Sequence, residues 1–284
     1  MYDFMDIARK AKETLINAGS GYRNDQIQIY KNAIANESNQ NAKWVLENFL
    51  DNFLVAGKNK SPLCDDTGIP HIMLEVGRDS NISHELLEAI NEGVAQGLRE
   101  LPGRPMAVKG NDIERLEQSK GLYDDPGMMQ IAPIHLRTTN EKGLKLHILL
   151  QGGGPEIRGK TYRIFHRHNI SNIINEIIEW AVEGASKLGC TPCTPAIGIG
   201  RSHFEASSLM LEAMIRGNFL IQSDIEREIT DRINQSGTGP LGLGGNNTAL
   251  ATFLKIGPQR ASGVRIVCLR LCCGVEPRLA SCDL

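Results

Sequence analysis

Apolar residues recur at helical spacing through the first 57 residues of the chain. Because positions three and four apart share one side of a helix, this pattern predicts amphipathic helices. Three are predicted, over about residues 3–17, 25–36 and 41–55. Together they define a helical N-terminal lobe at residues 1–57.

From residue 58 to residue 284, short strand patterns alternate with helical patterns. The predicted strands are 71–76, 134–137, 144–150 and 264–271, and the predicted helices are 83–100, 169–188, 202–216 and 223–237. Ser202 and Ser223 are each followed three residues later by glutamate, which is the pattern of a capping box. The predicted fold class is therefore mixed α/β. The helical lobe precedes one continuous domain, 58–284, of intermixed strands and helices with glycine loops at strand ends.

A stretch rich in glycine and proline interrupts this alternation at residues 189–201. Pro192 and Pro195 are expected to end helix and strand pairing alike. The run 197–200, Ile-Gly-Ile-Gly, then predicts a turn that leads into the helix capped by Ser202. The free N–H groups of such a helix start favour an anion. With Cys190 in the same loop the stretch suggests a metal ligand beside an anion site, and a buried cysteine with a tight turn is the equal alternative.

Composition narrows the class of protein. The chain has 31 basic and 33 acidic side chains, a net charge of −2, and 41% apolar residues. This balance argues against binding to nucleic acid or to a membrane surface. No apolar run approaches the ~20 residues that span a bilayer, and the N-terminus lacks the apolar region of a signal peptide. A cytoplasmic protein is therefore expected.

Seven cysteines without a secretion signal argue against a disulfide framework. Three of them stand out by their context. Cys64 adjoins two carboxylates, Cys190 lies in the central loop, and either Cys272 or Cys273 ends the last predicted strand before a glycine. Three thiolates are one short of a four-cysteine cluster site, and an iron without a thiolate can act as a Lewis acid.

Glycine-rich motifs accompany these thiols along the chain. The segments are Pro62-Leu63-Cys64-Asp65-Asp66-Thr67-Gly68, Gln151-Gly152-Gly153-Gly154, Gly189-Cys190 through Gly198-Ile199-Gly200, and Gly242-Leu243-Gly244-Gly245. In this order, with the strand that ends at Cys272, they resemble the alpha subunit, or N-terminal catalytic domain, of the class I fumarase and L(+)-tartrate dehydratase family of iron–sulfur hydro-lyases. The resemblance implies a 4Fe-4S cluster held by Cys64, Cys190 and Cys272, with Cys273 as the alternative third ligand.

The resemblance also implies an activity, the addition or removal of water on a small dicarboxylate such as fumarate, malate or a tartrate-like acid. The substrate-binding residues that it implies are Asp65, Asp66, Gly152, Gly153, Gly154 and Arg260. Two of these positions depart from the family. Asp65 often stands as glutamine there, and Arg260 replaces a histidine, so no base is assigned to this chain, because arginine stays charged near neutral pH.

The family's second domain, a swivelling β/α unit with the proton-transfer residue, has no counterpart after Cys272. We therefore expect a separate beta subunit to supply it, with a homodimer of alpha chains inside a heterotetramer. Two alternatives stay open. One is a non-catalytic cluster-binding subunit for redox sensing or scaffolding, and the other is a zinc site at Cys190, Cys193 and Cys272.

Overall fold

The computed structural model describes residues 3–284 and confirms the mixed α/β class. Its helices are α1 Phe4–Ser20, α2 Asn24–Asn36, α3 Gln40–Asn59, α4 His84–Glu100, α5 Asp112–Glu117, α6 Gly153–Glu156, α7 Ile170–Ala185, α8 His203–Arg216 and α9 Asp224–Asn234. Its strands are β1 Ile69–Val76, β2 His135–Thr138, β3 Leu144–Gln151, β4 Lys160–Phe165, β5 Thr194–Gly200, β6 Phe253–Ile256, β7 Val264–Cys272 and β8 Arg278–Asp283. In the part of the chain so described, no helix is long and apolar enough to cross a membrane.

The chain forms two compact units that are interleaved in sequence. The first comprises the chain up to Tyr22 together with Phe53–Gly152 and Arg278–Leu284, and the second comprises Arg23–Asn52 and Gly153–Pro277. These ranges divide the N-terminal helices between the units, whereas the sequence pattern groups them in one lobe.

The first unit is built on a four-stranded sheet in the order β2-β1-β3-β8. β1 runs parallel to β2 and antiparallel to β3, and β3 runs antiparallel to β8. The apolar faces of α1 and α4 form one buried cluster with the sheet; its members include Leu15, Leu74, Ile90, Leu98 and Leu146. Their burial explains the helical spacing seen in both segments, because only one side of each helix faces this core.

The second unit is built on a sheet in the order β4-β7-β5-β6, in which β5 is a fully buried inner strand. The isoleucines of α7 and α9 pack on one face of this sheet, against Ile197 and Ile199 of β5. The alternate residues of β5, Gly198 and Gly200, face α8, since a Cβ on either would meet the Ala206 backbone. The Ile-Gly-Ile-Gly run is therefore a strand with one apolar face and one face small enough for close helix packing.

This strand corrects two predictions, the turn at 197–200 and the end of strand pairing at Pro195. Pro195 pairs with Leu271 of β7, while pairing with β6 starts only at Ala196. Proline cannot donate to a ladder, and it is tolerated near the start of a strand, before the second neighbour begins to pair. The helix start after the strand is as predicted, because the Ser202 side chain accepts from the Glu205 amide.

Gly198→Ala is expected to destabilise the second unit by about 1–3 kcal/mol, the usual range for overpacking. A Cβ at this position would lie 2.0 Å from the carbonyl oxygen of Ala206 and 2.4 Å from the Met210 nitrogen. Both atoms belong to the backbone of α8, so no side chain can move aside. Urea unfolding measures the loss through the transition midpoint. The matched control is Gly263→Ala, which meets nothing within 4 Å and should leave the midpoint unchanged.

Candidate active site

A turn between α3 and β1 carries Cys64 and Asp66 in the first unit. The Leu63 amide donates to the carbonyl of Gly19, and the Gly68 amide donates to Asp66 Oδ1 at 3.2 Å. Cys64 is half-buried, and this burial raises the pKa of its thiol, against the opposing effect of the Asp66 amide and the Arg278 charge. The turn therefore presents a thiol and a carboxylate on a backbone fixed at both ends.

The end of β3 approaches the same turn. A Cβ on Gly152 would lie 3.0 Å from Asp66 Oδ2, so only glycine lets the chain pass this close to the carboxylate. Asp65 lies at the rim: its side chain is 85% exposed, its Oδ1 accepts from the Cys64 thiol at 3.8 Å, and its carboxylate lies 3.7 Å from Arg104 Nη1. The structure thus brings Cys64, Asp66 and Gly152 together and leaves Asp65 at the surface.

Arg278 at the start of β8 is a site residue that sequence reasoning did not find. Its side chain is almost fully buried, at 2% exposure, and its Nη1 donates to the carbonyl of Asp66 at 2.7 Å. Its Nη2 would lie 2.6 Å from a Cβ on Gly68 and 3.4 Å from one on Gly152. The guanidinium therefore holds the Asp66 turn through its carbonyl and adds a positive charge beside the Asp66 carboxylate.

The second unit holds a thiol centre, defined here as Cys190, Cys272, Cys273 and the turn that joins them. The Gly274 amide donates to the carbonyl of Cys190 at 2.8 Å, so the loop after α7 and the end of β7 meet at this point. Cys190 is exposed, Cys273 is half-buried and Cys272 is fully buried. The sequence prediction that Cys190 and the end of the last strand come together is in accord with this contact.

Two aromatic residues, Tyr30 and Phe49, hold the turn of the thiol centre in place. The hydroxyl of Tyr30 on α2 donates to the carbonyl of Gly274 at 2.7 Å, and the rings of Tyr30 and Phe49 pack with centroids 6.0 Å apart. Tyr30 is fully buried, and burial raises the pKa of its hydroxyl well above the ordinary value. It therefore stays a protonated donor that holds the turn after Cys273 in place.

Three thiols of the second unit, Cys193, Cys268 and Cys272, are buried. Cys193 is fully buried, its pKa is raised to about 12, and its backbone pairs on both sides with the 248–250 segment. Burial raises the pKa of Cys272 well above the ordinary value. Cys268 is buried as well and accepts from Thr161 and Ser207. A thiol that stays protonated near neutral pH is a poor nucleophile.

Arg260 lies apart from the thiol centre. It precedes the first residue of β7, whereas Cys272 is the last, and the nine residues of the strand span about 27 Å at about 3.4 Å per residue. The anion site expected at the start of α8 is filled by the chain itself, because the Glu205 carboxylate accepts from the Arg201 amide and guanidinium. Among residues 3–284, no group of three or more His, Cys, Asp or Glu side chains is gathered to hold a metal ion.

Two mixed sheets with helices packed on them define an α/β protein. Its candidate ligand groups, the glycine loops and free thiols, lie close to the ends of strands. The chain belongs to the fumarate hydratase (Fumerase) family, whose sequence model matches residues 8–282.

Individual relatives agree with this membership. The chain is 28% identical over 252 residues to a putative L(+)-tartrate dehydratase subunit alpha of Methanocaldococcus jannaschii, covering 86% of this chain and 85% of the relative. It is 21% identical to the L(+)-tartrate dehydratase subunit alpha of Escherichia coli, covering 85% and 78%. A putative class I fumarate hydratase of Geobacillus stearothermophilus is 24% identical over 72% of this chain, which spans only 41% of that protein.

Proposed function

We propose that this chain is the alpha subunit of a hydro-lyase that adds water to, or removes it from, a small dicarboxylate of the fumarate, malate or tartrate type. The observation that carries the proposal is the family match over residues 8–282. The relatives named as alpha subunits are covered over 85% and 78% of their length, which supports a partner beta subunit for this chain too. We further propose a cytoplasmic protein that forms a homodimer of alpha chains within a heterotetramer.

The cofactor proposed is a 4Fe-4S cluster with Cys64, Cys190 and one thiol at the end of β7 as ligands. The donor chemistry fits, because all seven cysteines are free and soft thiolates are the ligands that such clusters take. Cys190 is exposed in a loop whose carbonyl is bound to the turn after Cys273. When bound, a cluster held by three thiolates supplies an iron that can act as a Lewis acid on the substrate.

Burial favours Cys273 over Cys272 as the third ligand. Cys272 has no exposed surface, whereas Cys273 is half-buried and directly precedes the glycine bound to Cys190. The resemblance implies the opposite order, with Cys272 first and Cys273 as the alternative. Cys273 is also one residue closer than Cys272 to Gly274, whose amide donates to the Cys190 carbonyl.

The chain's own residues are proposed to bind and orient the dicarboxylate. Gly152 leaves space at the Asp66 carboxylate, and the buried Arg278 holds the turn that carries this carboxylate by donating to the Asp66 carbonyl. The backbone of Gly153 and Gly154 adds amide donors at the start of α6. Asp65 is proposed to bind substrate only from the rim, given its exposure. Arg260 is left outside this set because β7 separates it from the thiol centre.

An anaerobic assay of the purified chain, alone and with the beta subunit from the same genome, tests the proposal. We expect the chain alone to bind iron and sulfide but to turn over no fumarate, malate or tartrate. Adding the beta subunit should give turnover, and any rate of the chain alone should lie below it by at least the ~10²–10⁴-fold that general acid–base groups contribute.

Each of the other outcomes would support a different function for this chain. Turnover by the chain alone would show that its active site is complete without a partner. Iron and sulfide without turnover, even with the beta subunit, would favour a redox-sensing or scaffold subunit. Zinc in place of iron would select the zinc site.

A further inference from the structure

An apolar cavity lies in the second unit, on the face of the sheet covered by α7 and α9. Its volume is about 270 Å³, room for about nine water-sized groups at ~30 Å³ each. The walls are aliphatic side chains, among them Ile173, Ile174, Ile177, Ile225, Ile229 and Leu254. Arg265 also lines it, and Arg265 lies seven residues before Cys272 on β7, about 24 Å away at about 3.4 Å per residue. The cavity is therefore distinct from the thiol centre.

Arg265 gives one end of this cavity a positive charge. Its Nη1 donates to the carbonyls of Ser262 at 3.2 Å and Val264 at 2.9 Å, which fixes the side chain. Within residues 3–284, its Nε and Nη2 make no hydrogen bond and it forms no salt bridge. None of the residues that line the cavity is acidic. A fixed guanidinium with donors to spare, at the mouth of an apolar cavity, is complementary to an anionic head group.

A strained turn places His168 at the same rim. The Asn169 amide donates to the carbonyl of His166 at 2.8 Å, and the two residues inside this turn, Arg167 and His168, have φ of 47° and 54°. Left-handed backbone is costly for non-glycine residues, and two in succession persist only where the surroundings hold them.

Both ring nitrogens of His166 hold the turn. Nε2 donates to Ser262 O at 2.7 Å, and Nδ1 accepts from the His168 amide at 3.0 Å. These contacts fix the orientation of the His166 ring, while the ring of His168 stands edge-on to it with centroids 5.0 Å apart. The His168 ring nitrogens have no hydrogen-bond partner in the described chain, so they are available at the rim.

We propose that this cavity is a second ligand site that takes a small amphiphilic monocarboxylate. The carboxylate binds Arg265 and His168, and an apolar tail of about seven carbons lies among the isoleucines. The dicarboxylate of the proposed reaction does not fit, because its second carboxylate would be buried against aliphatic walls without a partner, which is costly. The site stands on the cavity and its rim alone and does not depend on the proposed hydro-lyase activity.

Calorimetric titration of the full chain with octanoate, octanol and octylammonium tests the site. Octanoate is expected to bind with a Kd at or below about 1 mM. Octanol and octylammonium should bind roughly 10–100-fold more weakly, the usual effect of losing a hydrogen bond to a charged group. Equal binding of octanol and octanoate, or no binding of octanoate, would overturn the proposal. This comparison uses the unmodified chain, so no folding defect can obscure it.

Two variants locate the site. Arg265→Gln should weaken octanoate by the same roughly 10–100-fold, and Ile225→Trp should abolish binding by filling the cavity. The matched control, Arg163→Gln, removes an arginine on β4 that does not line the cavity, and it should bind as the parent does. Unchanged binding in Ile225→Trp, with circular dichroism showing a folded chain, would place octanoate elsewhere. Tighter binding of a peptide with a C-terminal leucine than of octanoate would replace the small ligand by a protein terminus.

Discussion

Cys190→Ser is expected to lose the iron–sulfur cluster and all hydro-lyase activity of the complex with the beta subunit. Three protein thiolates leave no spare ligand, and a serine hydroxyl stays protonated where a thiolate would bind iron. Iron should fall from about four atoms per chain to less than about one. Iron and sulfide per chain after anaerobic reconstitution measure the loss. Cys64→Ser should behave in the same way.

Cys193→Ser is the matched control, because it changes the other thiol of the same CxxC pair. Cys193 is fully buried with a pKa of about 12, and its role is to pack beneath the 248–250 segment. This variant should keep its iron, although a hydroxyl in the core will cost some stability. Full iron content in Cys190→Ser would remove the cluster assignment altogether.

The third ligand is decided by a second pair of variants at adjacent positions. Cys273→Ser is expected to lose iron, and Cys272→Ser is expected to keep it, because the Cys272 side chain is fully enclosed in the unit. The reverse result would return the third position to Cys272. Circular dichroism of each variant separates loss of iron from loss of fold.

Local signals predicted the helices and their caps well. Ser83, Ser202 and Ser223 each accept a backbone hydrogen bond at the start of the helix that the sequence assigned to them, and the Ser223–Glu226 capping box is complete. Such signals act within four residues, so they are visible without the rest of the fold. The same holds for β1, β3 and β7, whose apolar runs are long enough to indicate buried strands.

Strands β4, β6 and β8 carry no comparable signal. Each is an edge strand with one neighbour, and its residues are partly or largely exposed, so the apolar pattern is weak. Pairing with a strand far away in sequence defines them. β6 follows the 239–248 loop, where the sequence pattern predicts no strand. Propensity alone could not show this, because the partner of β6 is β5.

The candidate site was predictable where a residue type carries its own chemistry. The thiols made Cys64 and Cys190 candidates by their context, and the resemblance carried by the glycine motifs made Gly152 one. Arg278 was not identifiable, because its place beneath Asp66 depends on the pairing of Arg278 with Leu150, between β8 and the distant β3.

The largest stability effect is expected from a buried ion pair next to the thiol centre. Arg270 on β7 is 2% exposed, and its Nη2 lies 3.2 Å from each carboxylate oxygen of Glu276, whose side chain is 1% exposed. Nη1 reaches the carboxylate of Glu156, which is largely solvated. Taking both charges of the Arg270–Glu276 pair out of water is costly, and each one makes burial of the other tolerable.

Arg270→Met should therefore lower the free energy of unfolding by about 3–5 kcal/mol, because it leaves the Glu276 carboxylate buried without its cation. Arg270→Met with Glu276→Gln should recover most of this loss, since no charge then remains buried. Urea midpoints measure these differences, with the exposed Arg227→Met, whose partner is Asp224, as control. A midpoint for Arg270→Met equal to that of the parent chain would mean that the pair contributes nothing to holding the turn that carries Cys273.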